Sequence, residues 1–216
     1  MFISSSSRDS AGFPPVGVPE AFGPELTLHG IGDPRRGAVE EFISEIYARR
    51  YAAKVPHFAP MLVGLREGGE LLAAAGYRGA AQEPLFLERY LPSPVEAMLA
   101  AKADAHLCRA QIVEVGHLAA TRGGEGRRLI QLLAPHLASQ GFEWVVGTVT
   151  QELRPMLVRL GTAPLTLGAA DPAMLGEEAG LWGRYYEHQP VVLATHLLRA
   201  LHRHATRRAG APGPAQ

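Results

Sequence analysis

Hydrophobic positions along the chain alternate between two periods, and the changes of period mark the elements. Val39, Phe42, Ile43, Ile46 and Tyr47 recur at helical spacing, as one face of an amphipathic helix requires. Asp33 can cap that helix and Pro34 suits its first turn, so it is expected to run to about Lys54. Residues 60–66 and 70–77 read as two strands joined by Glu67-Gly68-Gly69, a glycine turn suited to an antiparallel hairpin. Leu85 to Leu87 reads as a short third strand, and Ser93-Pro94 opens a helix carrying Val95, Met98 and Leu99.

The second half repeats strand and helix more regularly. A strand is expected from Gln111 to Leu118, then the glycine loop Arg122-Gly123-Gly124-Glu125-Gly126, then a helix from about Arg127 to Ser139 that Gly141 ends. Phe142 to Thr148 reads as a strand, Glu152 to Leu160 as a helix and Ala163 to Leu167 as a strand, giving β-loop-α-β-α-β. Helical signals return from Leu181 to Glu187, and a final amphipathic helix is expected from Pro190 to Arg203. Residues 1–24 are rich in Ser, Pro and Gly and read as a disordered arm; residues 25–205 read as one domain and 206–216 as a disordered tail.

Composition narrows the picture. At 216 residues and 47% hydrophobic content the chain can bury one sizeable core. Lys and Arg number 21, as do Asp and Glu, so no general field attracts nucleic acid or an anionic membrane. One cysteine, Cys108, can form neither an internal disulfide nor a four-ligand zinc site, which fits a reducing cytoplasm and a site without metal. The N-terminus lacks a secretory pattern and no apolar run approaches a bilayer span, so a soluble protein is expected.

Chemistry concentrates in Ile112-Val113-Glu114-Val115-Gly116-His117-Leu118, where an acid and an imidazole interrupt an apolar strand. Burying either is costly unless it is paired or useful. Glu114 can hold a buried arginine and His117 can cap a loop. The same two groups can serve as the base that takes a proton from an ammonium nucleophile, because desolvation moves a carboxyl toward neutrality. Positions 114 and 117 fall on opposite strand faces unless a bulge near Gly116 shifts the phase; such a bulge also parts this strand from the next and opens a slot. A backbone amide near Leu118 could then polarise a carbonyl. Backbone amides from Thr121 to Gly126, with Arg127 beside them, could cradle phosphate at a helix N-terminus.

Other candidates are weaker on their own. Arg78 and Glu88, on adjacent expected strands, could orient an amine or form a plain ion pair. Trp144, Trp182, Tyr185 and Tyr186 could line a pocket or simply fill the core, and Thr148 and Thr150 join the substrate-binding candidates. The basic run Arg199, Arg203, Arg207 and Arg208, with His202 and His204, is either a solvated helix face or a dock for an acidic partner.

The order from Val113 to Leu167 resembles the core of the GNAT (acetyltransferase) fold, in which a Q/R-x-x-G-x-G/A loop binds the carrier pyrophosphate. Gly124 and Gly126 match its glycines; Thr121 stands where that loop has Gln or Arg, and Leu157 where a tyrosine acid is common. Glu114-Val115-Gly116-His117-Leu118 is similar to the E-x-x-R-F element of the acyl-homoserine-lactone synthases, with His117 in the arginine's place, and Val149 to Arg154 is similar to the stretch after their fifth strand. The broadest resemblance, over most of residues 35–195, is to the bacterial thermostable hemolysin family, through Phe86 to Leu91, Ile112 to Ala119, Trp144-Val145-Val146 and Trp182 to Tyr186. These likenesses imply an α/β (α+β) fold, a GNAT-like mixed splayed sheet with helices on both faces. They imply an N-acyltransferase that moves an acyl group from acyl carrier protein or coenzyme A to a small amine. Two alternatives stand beside it: a membrane-active hemolysin or effector, for which the last helix is the one amphipathic candidate, and a non-catalytic domain that binds an acyl carrier.

Overall fold

The computed structural model describes residues 23–103 and 107–209. Most of the expected N-terminal arm, and residues 210–216 of the expected tail, lie outside the described residues. Seven strands form one open sheet in the order β1-β2-β3-β4-β5-β7-β6. They are β1 (Glu25–His29), β2 (Met61–Glu67), β3 (Glu70–Gly79), β4 (Ile112–Ala120), β5 (Trp144–Val149), β6 (Leu165–Ala169) and β7 (Val191–His196). Only β4 and β5 are parallel neighbours; every other pair is antiparallel. The helices are α1 (Arg36–Tyr51), α2 (Val95–Ala103), α3 (Gly123–Ser139), α4 (Arg154–Arg159) and α5 (Leu197–Ala209).

The sheet buries both faces. On one, Val39 and Ile43 of α1 and Leu99 of α2 pack with Leu62, Leu87 and Ile112. On the other, Leu129, Leu133 and Leu137 of α3 pack with Leu65, Val113 and Leu197. This is the mixed sheet with helices on both faces that the sequence implied. Arg36 fixes the start of α1, donating to the carbonyls of His29, Ala59 and Pro60 and to Glu40. Asp33 works one step earlier than a cap: its carboxylate accepts from the Arg35 amide and pairs with buried His29.

Several expected elements are corrected. Leu85 to Leu87 is no strand but the entry to a 3₁₀ helix, Phe86–Tyr90, because the Glu88 carboxylate accepts the Leu85 amide and closes a helical turn. The glycine loop is already helical, since α3 begins at Gly123. The last expected helix is split. Residues 191–196 form β7, an interior strand buried on both faces, and its continuous apolar run has no period of its own to separate it from the helix that follows. Helix α5 then continues to Ala209, into the expected tail. Strand β1 carried no clear signal because its inward residues, Thr27 and His29, are polar.

Candidate functional site

The site begins with a change of partner along β4. Ile112, Val113 and Glu114 pair with Trp144, Val145 and Val146 of β5, and pairing stops there although both strands continue. On its other edge β4 follows β3 to the end, with one irregularity: Gly76 faces Gly116 while Ala74 faces Ala119. β4 thus carries one extra residue, a bulge at His117-Leu118 rather than at Gly116 itself. His117 takes the left-handed backbone, φ 55°, a conformation that costs a non-glycine residue about 1 kcal/mol or more. The phase shift brings both side chains to the α1 side. Glu114 meets the Phe86–Tyr90 turn, and His117 packs on Phe58 and donates to the His57 carbonyl.

Parting the strands opens a cleft of about 220 Å³ that passes between the two faces of the sheet. One wall is aromatic: Tyr47, Tyr51, Phe86, Tyr90, Trp182 and Tyr185. Their rings contact one another at centroid distances of 5.2 to 6.4 Å, edge-on or tilted in most pairs as ring quadrupoles favour. Gly183 makes this wall possible. It has φ 52°, and a Cβ there would lie 2.3 Å from the Tyr51 carbonyl oxygen, so only glycine lets the Trp182 segment meet the end of α1. The opposite wall is aliphatic, with Ile130, Leu133, Leu137, Met156, Leu157 and Leu197.

Glu114 lies where the strands separate. Its carboxylate accepts the amides of Phe86 (2.7 Å) and Leu87 (3.1 Å), and Arg78 Nε stands 3.6 Å away. Burial nevertheless dominates and pushes the carboxyl up to about 7, against the opposing pull of Arg78 and the two amides. His117 moves the other way, down to about 4, because burial penalises the imidazolium. Its Nε2–H is committed to the His57 carbonyl, so Nδ1 holds a lone pair, is buried and has no partner. Three more cleft atoms are buried without partners, Thr148 Oγ1, Thr162 Oγ1 and Trp182 Nε1.

The remaining candidates divide. Arg78, Leu118, Thr148, Trp182, Tyr185 and Tyr186 line the cleft. Glu88 does not: it sits on the 3₁₀ turn, takes two bonds from Arg109 (2.7 and 3.0 Å) and accepts the Leu85 and Val95 amides. Burial raises its pKa, but Arg109 and those amides outweigh it and hold Glu88 down to about 2. The expected Arg78–Glu88 pair is thus replaced by Arg78 with Glu83 and Glu114. Trp144 is buried away from the cleft, against His196. Thr150 is buried beside Tyr51 and Glu152 rather than lining the cleft.

The phosphate cradle is also altered. Gly123 and Gly124 are exposed with open space where a Cβ would stand, so a ligand can approach the backbone. Glu125, however, folds back over the helix start and accepts from the Arg122 amide and the Thr121 hydroxyl, as a capping carboxylate does. Arg127 is exposed beside it. Sequence reasoning did not place Tyr47, Tyr51, Tyr90 or His57 in the site. Tyr47 belongs to the helical apolar stripe, and Tyr51 stands four residues further along α1, outside that stripe.

A mixed sheet parted beside a central strand is a fold that this chain shares with several solved acyl-homoserine lactone and N-acyl amino acid synthases. FeeM, an N-acyl amino acid synthase from uncultured soil microbes, shares it with a TM-score of 0.57 at 15% identity, over 88% of this chain and 100% of that one. The acyl-homoserine lactone synthase LasI matches with a TM-score of 0.56 at 13% identity, over 81% and 90%. BjaI, a coenzyme A-dependent acyl-homoserine lactone synthase solved with SAM and isopentyl-CoA, matches with a TM-score of 0.56 at 12% identity, over 90% and 93%. Residues 29–201 match the family model described as thermostable hemolysin, and the chain belongs to that family. No curated protein sequence matches it.

Proposed function

We propose that the protein is an N-acyltransferase, acting in the cytoplasm, that moves an acyl group from a coenzyme A or acyl-carrier-protein thioester to a small amine. The observation that carries this reading is Glu114: a carboxyl near neutrality, buried at the point where β4 and β5 part and at the edge of an apolar cleft. An amine is protonated at neutral pH and attacks only after losing that proton. Glu114 takes it, directly or through one water, and the free nitrogen adds to the thioester carbonyl. The tetrahedral oxyanion is held by backbone amides that β5 leaves unpaired beyond Glu114, near Leu118. Collapse breaks the C–S bond; the nitrogen passes its surplus proton through water to the departing thiolate, and the proton first taken by Glu114 is released to solvent. The products are an N-acylated amine and the free thiol. The aliphatic wall suits the acyl chain and the aromatic wall suits the amine.

The donor's phosphates would lie on the first turn of α3, with Arg127 near, once Glu125 swings aside. The bonds from the Phe86 and Leu87 amides to Glu114 favour a second reading, in which this carboxylate only anchors the 3₁₀ turn and the domain binds thioesters without turnover. No helix among the described residues is long and apolar enough to cross a membrane. Incubating the protein with acyl-CoA or acyl carrier protein and a mixture of amines, followed by mass spectrometry, tests the reading. A thiol reagent is unsuitable because Cys108 is exposed. New N-acyl amides that disappear in Glu114→Gln support it; thioester binding without any amide supports the second reading.

A further inference from the structure

A second cavity, of about 310 Å³, lies at the other end of the sheet, where β5 begins and β7 ends. That volume is at the small end of ligand sites, which span roughly 300–1,000 Å³. Its walls include Lys102 from the end of α2, Trp144 and His196, and Arg199 and Arg203 from α5. Arg199 and Arg203 stand four apart on α5 and so share one helix face, while His196 ends β7 just before that helix. Among the described residues, no carboxylate lines the cavity.

The charge there is unbalanced. Lys and Arg equal Asp and Glu in the whole chain, yet Lys102, Arg199 and Arg203 make no ion pair with any described residue. Helix α5 has no acidic residue. Of the nearby described acids, Glu96 is paired with Arg109, while Glu143, bonded to the neutral Gln111 side chain, keeps its charge beside His196. His196 Nδ1 is buried without a partner, and both Arg199 and the Glu143 carboxylate are close enough to act on this ring electrostatically. Three cations set against one nearby carboxylate leave the concavity net positive, and an anion seated among them relieves their mutual repulsion.

We propose that this cavity binds a phosphate-bearing small molecule, of the size of pyrophosphate or a sugar phosphate. Arg199 and Arg203 supply planar guanidinium forks and Lys102 a point charge from the other wall. The concave shape favours a small ligand over an acidic protein surface. The site is separate from the phosphate cradle at α3, though Thr195 and Ala200 form part of both cavities' walls.

Calorimetric titration with inorganic pyrophosphate tests this, using the intact protein, Arg199→Ala/Arg203→Ala, Lys102→Ala and Gly124→Asp. Affinity should fall at least tenfold in the double variant and severalfold in Lys102→Ala, but stay unchanged in Gly124→Asp. Lys102→Ala carries the test if thermal melts show the double variant unfolded. Glucose 6-phosphate and phosphatidylglycerol vesicles, run as parallel arms, distinguish a soluble phosphate from a lipid headgroup. No binding by the intact protein overturns the proposal. So does binding lost in Gly124→Asp alone, or a double variant that loses acyl carrier protein but retains pyrophosphate.

Discussion

The two halves of β4 do different work with nearly the same residue types. Ile112 to Glu114 pairs on both edges and its apolar side chains are fully buried. Val115 to Leu118 pairs with β3 alone, carries the bulge and lines the cleft. Hydrophobicity does not distinguish these halves; the difference is in the backbone, and the one charged side chain sits at the junction. A sheet gives up about one backbone hydrogen bond for each unpaired residue at such a place, and exposes polar edges that water or a ligand must satisfy.

Removing the charge at the junction should have the largest effect. Glu114→Gln keeps the size of the side chain but not a base that can take a proton, so amide formation should fall by roughly 10²–10⁴-fold with acyl-donor affinity nearly unchanged. Steady-state rates and donor binding measured on one preparation check this. Parent-like turnover would leave Glu114 an anchor for the 3₁₀ turn and nothing more.

Forcing the halves apart should come next. A Cβ on Gly147 would lie 2.6 Å from the Val115 carbonyl oxygen, and both neighbours are backbone with little room to move. Gly147→Ala should therefore cost about 2–4 kcal/mol, read by urea denaturation, and widen the parting. Full stability would mean that β5 already yields at this point.

The sequence displayed the chemistry of this junction better than its geometry. Glu114 and His117 stood out because an acid and an imidazole interrupted an apolar strand, and the need for a bulge followed from a period of two. Its placement one residue later, on His117 and not on glycine, was not legible, since left-handed backbone at histidine is set by tertiary contacts with Phe58 and His57. The aromatic wall was half visible: Trp182, Tyr185 and Tyr186 were candidates, while Tyr47 was hidden in a helical core pattern and Tyr51 carried no signal of its own. Glu88 misled because its true partner, Arg109, is 21 residues away and was never singled out.

The opposite shifts of Glu114 and His117 make a third prediction, on stability against pH. Glu114 has a folded value near 7, above its ordinary 4.5, so the folded state binds more protons between those values and its contribution falls as pH rises from 4.5 to 7. His117 is lowered from 6.5 to about 4, so the unfolded state binds more protons there and stability is lost as pH falls from 6.5 to 4. Each effect has an upper bound of about 3 kcal/mol, the half-buried imidazole giving the shallower slope, and over pH 4.5–6.5 they oppose each other. The parent should be nearly flat in that window. His117→Asn, which tolerates the left-handed backbone, should lose stability as pH rises, and Glu114→Gln should lose it as pH falls. Denaturation midpoints at half-unit pH steps would show this; parallel curves for all three proteins would mean that the two groups are hydrated.

The smallest effect concerns the end of the parted half, where β4 passes into α3. Glu125 caps that helix through the Arg122 amide and the Thr121 hydroxyl, so its charge occupies the place where the proposed donor phosphate would lie. Like charges exclude one another there, and the carboxylate must swing out before the anion binds. Glu125→Gln keeps a weaker cap and removes the repulsion. It should cost about 0.5–1 kcal/mol in stability while tightening coenzyme A binding by roughly three- to tenfold, the scale of one charge at a helix N-terminus. Gly124→Asp should do the reverse to binding by adding charge and bulk at the open first turn. Calorimetry on the two variants separates the cases. If both leave the affinity unchanged, the donor's phosphates do not touch α3, and the glycines there serve only to begin the helix.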